Sequence, residues 1–107
     1  MKPPIIIFNP DEMRVDAIGP WTPHLAHFAE EEAVSFRRAY CQNPVCVPSR
    51  CSFLTGRYPH TDGHRTMRHL LRTGERSLFQ DLMEAGYFVW MNPRNDFAAR
   101  QIPGLLE

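Results

Sequence analysis

The sequence predicts an α/β fold, a partial αβα sandwich built on a mainly parallel sheet. Three segments carry that prediction: Ile5-Ile6-Ile7-Phe8, residues 34–40, and Tyr87-Phe88-Val89-Trp90-Met91. They place strands near residues 4–9, 34–40 and 87–91. The first and last are unbroken apolar runs, rich in β-branched and aromatic residues, as in strands covered on both faces. Helical patterns fall between them, and parallel strands need such crossovers.

Length and composition narrow the class. The chain has 107 residues, 43% of them hydrophobic, which fits one globular domain over residues 1–107. Twelve basic residues balance twelve acidic ones. That argues against nucleic acid or an anionic membrane surface as the main partner. No apolar run reaches membrane-spanning length. Met1-Lys2 leads straight into Pro3-Pro4, without the pattern of a signal peptide. A cytoplasmic location is expected, or a periplasmic one if a leader was removed. Cys41, Cys46 and Cys51 are an odd number, so they form no closed disulfide framework, and their spacing matches no usual zinc pattern.

The first strand ends in Asn9-Pro10-Asp11-Glu12. Proline stops a ladder, and ligands of open α/β sheets sit at the carboxyl ends of strands. Two carboxylates there can hold a hard cation, although the pair read alone favours a solvated turn. Thr22-Pro23 opens a helix, with Thr22 as N-cap and Pro23 as its first residue. Leu25, Phe28, Ala29 and Ala33 share one face of it, and Glu30-Glu31-Glu32 are solvated. His24 and His27 read as surface residues. In 34–40, Val34 and Phe36 alternate with Ser35 and Arg37, and this second strand leads through residues 41–45 to Cys46.

Cys46-Val47-Pro48-Ser49-Arg50 then reads as a loop turning into a short helix. Pro48 suits a first helical position, and Gly56 suits its left-handed stop. Cys46 then lies just ahead of a helix N-terminus, where free N–H groups and the positive dipole end favour an anion. Arg50, one turn on, adds a planar donor fork. Downstream, His60, His64, Arg65, Arg68, His69 and Arg72 could line an anion site. Of these, His60 and His64 are the candidate substrate contacts. Ser77 caps a helix over residues 78–85, with Leu78, Phe79, Leu82 and Met83 as its apolar side and Gly86 as its end.

The run C-x-P-S-R with its T-G-R continuation comprises Cys46, Pro48, Ser49, Arg50, Thr55, Gly56 and Arg57, followed by Tyr58-Pro59-His60. It resembles the signature of the type I sulfatases, members of the alkaline-phosphatase superfamily. The resemblance implies that a maturase oxidises Cys46 to formylglycine, whose hydrate attacks the sulfur of a sulfate ester. It implies a divalent metal, Ca²⁺ in the first place and otherwise Mg²⁺ or Mn²⁺, held by Asp11, Glu12 and modified Cys46. Glu12 stands where many members have a second Asp. Arg50 would position the hydrate. Many members carry G-K-W-H after the third strand. This chain has Arg94 in place of that lysine and Asp96 in place of that histidine. Arg94 could hold an anionic oxygen bidentately, whereas Asp96 cannot reproduce an imidazole.

The resemblance spans nearly the whole chain, but only the opening part of the longer family members. A fragment is therefore expected, inactive alone, whose parent hydrolyses a small-molecule or carbohydrate sulfate ester. Two alternatives stay open. One is a phosphonate monoester or phosphodiester hydrolase of the same superfamily. The other is a non-catalytic remnant that binds partners through exposed sheet edges. Uncovered apolar edges also lead one to expect homo-oligomers.

Overall fold

The structure, a computed structural model, describes residues 2–91. The expectations for Arg94 and Asp96 lie outside the described residues. The chain divides into two compact units, Met1–Ala39 and Tyr40–Glu107.

The first unit contains a 3-10 turn, Val15–Ala17, and helix α1, Pro23–Glu31. Pro23 occupies the helix start, where its missing N–H costs nothing. Thr22 is the N-cap residue, but its hydroxyl points back: it donates to the Ala17 carbonyl (3.3 Å) and accepts from Gly19 N–H (3.4 Å). The helix thus closes onto the turn before it. It ends at Glu31, short of Ala33, and Leu25 is half-buried while Phe28 is exposed.

The second unit holds α2 (Cys46–Thr55), α3 (Pro59–Asp62) and α4 (Leu78–Glu84). Helices α3 and α4 both pack on α2. Val47, Cys51 and Leu54 recur at helical spacing along α2 and meet Leu71 in a small core, flanked by Leu70, Leu78, Phe79 and Met91. Gln80 accepts from the Ser77 N–H at 2.6 Å and so fixes the start of α4. At its end, Tyr87 N–H reaches back to the Leu82 carbonyl (2.9 Å), with Gly86 in the left-handed region (φ 78°). That is a glycine-dependent C-cap.

The strands expected near residues 4–9, 34–40 and 87–91 are not present among the described residues. Among the described residues there is no strand, and Leu71 alone makes an isolated bridge. Residues 4–9 and 87–91 have no regular structure, and residues 34–40 contain a turn at Arg37 and Arg38. Ile6 (87% exposed), Phe8 (79%) and Phe88 (92%) face solvent rather than a sheet interior. The reason is physical. A helix closes its hydrogen bonds within its own segment, whereas a strand needs a neighbour to supply them.

Candidate active site at the start of helix α2

Helix α2 begins at Cys46 itself, two residues earlier than Pro48 led one to expect. Val45, the N-cap residue, is extended, and its N–H donates to Asn43 Oδ1 at 3.2 Å. That local turn aims the chain into the helix. The first helical bond runs from Ser49 N–H to the Val45 carbonyl at 3.0 Å. Val45 has no side-chain acceptor for the amides of the first turn, and Pro48 has no amide to satisfy. Cys46 therefore occupies the first position of the helix, at the positive end of its dipole.

Cys46 and Arg50 stand four residues apart and are both half-buried. At that spacing they share one side of α2, along the edge of its buried face. The T-G-R continuation has a local task. Thr55 Oγ1 donates to the Cys51 carbonyl (2.7 Å) and accepts from Arg57 N–H (3.3 Å). Gly56 takes φ 69°, and its N–H closes the last turn on the Ser52 carbonyl at 2.9 Å. Arg57 then pairs with Asp62 of α3 at 3.2 Å. These residues end α2 and join it to α3.

The three cysteines are free thiols in three environments: Cys41 exposed, Cys46 half-buried and Cys51 buried. Burial pushes the Cys51 thiol up to about 11, and the Glu75 charge adds to this, while a hydrogen bond with the Leu71 backbone works against it. Cys51 is thus a packed, inert thiol. Cys46 joins partial accessibility to a helix N-terminus.

The two histidines differ as sharply. His60 is exposed on α3, its ring stacked on Tyr58 with centroids 5.6 Å apart. His64, expected as a substrate contact, is 3% exposed. Its Nδ1 lies 2.7 Å from the His69 carbonyl oxygen and its Nε2 lies 3.1 Å from the Glu75 carboxylate. Both ring nitrogens are therefore engaged within the chain.

Asp11 and Glu12 lie in the first unit, in a turn that leaves Asp11 half-buried and Glu12 exposed. Glu12 adopts φ 54°, a left-handed conformation uncommon outside glycine. Among the described residues there is no group of three or more His, Cys, Asp or Glu side chains able to hold a metal.

Comparison with known proteins decides the family. The model of the family described as Sulfatase matches residues 8–103.

The chain belongs to the sulfatase family.

It is 44% identical over 68 residues to an ulvan-active sulfatase of Formosa agariphila, covering 58% of this chain and 13% of that one. A second ulvan-active sulfatase of that organism is 33% identical over 90 residues, 71% of this chain and 15% of the relative. The steryl-sulfatase of Mus musculus is 35% identical over 69 residues, 58% of this chain and 11% of the relative. The chain thus spans a small part of the length of these sulfatases. No solved structure matches it significantly. The α/β class of the alkaline-phosphatase-like fold stands through the sulfatase family, while the described residues contribute helices and no sheet.

Three contacts around the sulfatase signature gave no signal in the sequence. Gln42 accepts from Ser52 Oγ at 3.1 Å, tying the approach to Cys46 onto α2. Glu75 and Leu71 fix the segment beside α2. The Ser52 partner of Gln42, the His64 partner of Glu75 and the α2 partners of Leu71 are ten or more residues away and outside any shared helix, so no local spacing announces them.

Proposed function

We propose that this chain carries the nucleophile-bearing part of a sulfatase that hydrolyses a sulfate ester of a carbohydrate or small molecule. The observation that supports this most is Cys46 at the first position of α2, with Arg50 one turn on, inside the C-x-P-S-R run. Oxidised to formylglycine and hydrated, Cys46 would supply an oxygen nucleophile. The first-turn amides favour negative charge beside it. Arg50 orients the nucleophile and meets charge on the ester oxygens. His60, exposed on α3, and Arg94 are proposed to contact substrate. Asp11, with Glu12, is proposed to contribute to a divalent-metal site whose other ligands come from elsewhere in the whole protein. Ca²⁺ suits such oxygen donors, with Mg²⁺ or Mn²⁺ as substitutes. The 107 residues alone are then inactive, and a formylglycine-generating maturase is a required partner. The names of two relatives as ulvan-active sulfatases favour a carbohydrate sulfate as the ester.

A second reading, a phosphonate monoester or phosphodiester hydrolase, draws on Arg94 and Asp96 replacing the usual lysine and histidine. The test is to compare rates on aryl sulfate and aryl phosphonate esters with the whole protein after Cys46 conversion, against a Cys46→Ala control. A preference for the sulfate supports the first reading, and a preference for the phosphonate replaces it with the second.

A further inference from the structure

A single buried imidazole joins both ends of the segment that packs on α2. His64 Nδ1 meets the His69 carbonyl oxygen at 2.7 Å, and Nε2 meets the Glu75 carboxylate at 3.1 Å. The same carboxylate accepts from the Arg72 N–H at 2.6 Å. His69 and Arg72 bracket Leu70 and Leu71. Leu71, 4% exposed, packs against Val47, Cys51 and Leu54 of α2. The Cys51 thiol in turn hydrogen-bonds to the Leu71 backbone. An unbroken path of contacts thus runs from His64 through residues 69–75 to the buried face of the helix that starts at Cys46.

The chemistry of that path is specific. Both oxygens facing His64 are acceptors only, so each ring nitrogen serves its contact best by donating. Around the ring stand His69, Glu75, the Arg72 backbone and, across Leu71, the Cys51 thiol. The Arg72 side chain is committed to the Asp62 carbonyl at 2.9 Å. Hydrogen bonds to a charged partner are among the strong ones, and leaving the half-buried Glu75 carboxylate and the buried ring without each other is costly.

We propose that His64 is a positioning residue: its ring clamps residues 69–75 against α2 and so fixes the helix turn that presents Cys46 and Arg50. The clamp itself stands on the contacts above, and its bearing on catalysis rests on the sulfatase reading.

The test uses the full 107-residue chain with unmodified cysteines. Alkylation followed by peptide mass spectrometry reports each cysteine, with exposed Cys41 as internal reference. In the wild-type chain Cys51 is protected. In His64→Ala, Cys51 labelling is expected to rise at least about tenfold, because loss of buried polar contacts raises the population of open states. Amide protection along α2 from Ser49 onward, where the helical hydrogen bonds begin, should fall with it. Glu75→Gln keeps an acceptor oxygen and should retain most of the protection, whereas Glu75→Ala should lose it. In nitrogen-15 spectra, a His64 ring N–H should exchange slowly with water in the wild-type chain, unlike the ring protons of exposed His60. That measurement and the Glu75 pair decide the matter even if His64→Ala does not fold. Unchanged Cys51 protection in Glu75→Ala, or fast exchange of both His64 ring protons, would overturn the clamp. None of these readouts requires turnover, so the clamp can fail while the sulfatase reading stands, and the reverse.

Discussion

Ser52 Oγ, on the buried face of α2, donates to Gln42 Oε1 at 3.1 Å and anchors the loop that leads into Cys46. Ser52 is buried and Gln42 is exposed, so the two partners are not equivalent. Gln42→Leu leaves a buried hydroxyl without its acceptor and is expected to cost about 1–3 kcal/mol. Return of the hydroxyl to a carbonyl of its own helix would keep the loss at the low end. Ser52→Ala removes the hydroxyl and returns the Gln42 amide to water, so it should cost about 1 kcal/mol or less. Urea unfolding of both variants checks the order, and a larger loss in Ser52→Ala would contradict it.

Gly56 offers a purer backbone test. Its φ of 69° lies in the left-handed region, and a Cβ there would meet nothing within 4 Å. Gly56→Ala therefore adds conformational strain without a clash, and about 1–2 kcal/mol of destabilisation is expected. Thermal unfolding should show a lower midpoint, with Cys51 still protected below it. An unchanged midpoint would mean that α2 does not need this stop.

These two sites show what the sequence makes legible. Helix ends are written locally: Pro23, Gly56, Ser77 and Gly86 each mark a boundary that the structure places within two residues of expectation. The signature around Cys46 is contiguous, and its T-G-R part is legible because it caps the same helix. The strands are another matter. Ile5-Ile6-Ile7-Phe8 has strand composition, but composition supplies no neighbour, and a ladder is a property of two segments. The His64–Glu75 contact was illegible for a related reason. It spans eleven residues of irregular chain, where no 3.6 or 2.0 period applies.

Cys51 gives the second unit a pH dependence at its alkaline edge. Its thiol is held up at about 11, against an ordinary value of 9.0, so the folded state keeps a proton that the unfolded chain releases earlier. Stability from this group is complete below about pH 9 and is lost as pH rises towards about 11, by something on the order of 2 kcal/mol. Unfolding at several alkaline pH values should show that decline. A Cys51→Ala variant, although less stable at neutral pH through its cavity, should show a shallower one. Equal slopes would mean that another group titrates there.

Metal binding by these 107 residues alone should be weak. Ca²⁺ takes about six to eight oxygen ligands, and Asp11 and Glu12 are two candidates in one turn. Calorimetry with Ca²⁺, Mg²⁺ and Mn²⁺ is expected to give affinities no tighter than roughly millimolar. Asp11→Asn should weaken even that. Micromolar binding abolished by Asp11→Asn would show that the chain completes a site by itself.

The central claim is that Cys46 is the residue converted to the nucleophile, and peptide mass spectrometry after co-expression with a formylglycine-generating maturase tests it most directly. The expected result is an aldehyde or its hydrate at position 46, with Cys41 and Cys51 left as thiols. An unmodified Cys46, in cells where the same maturase converts a control sulfatase, would contradict the account.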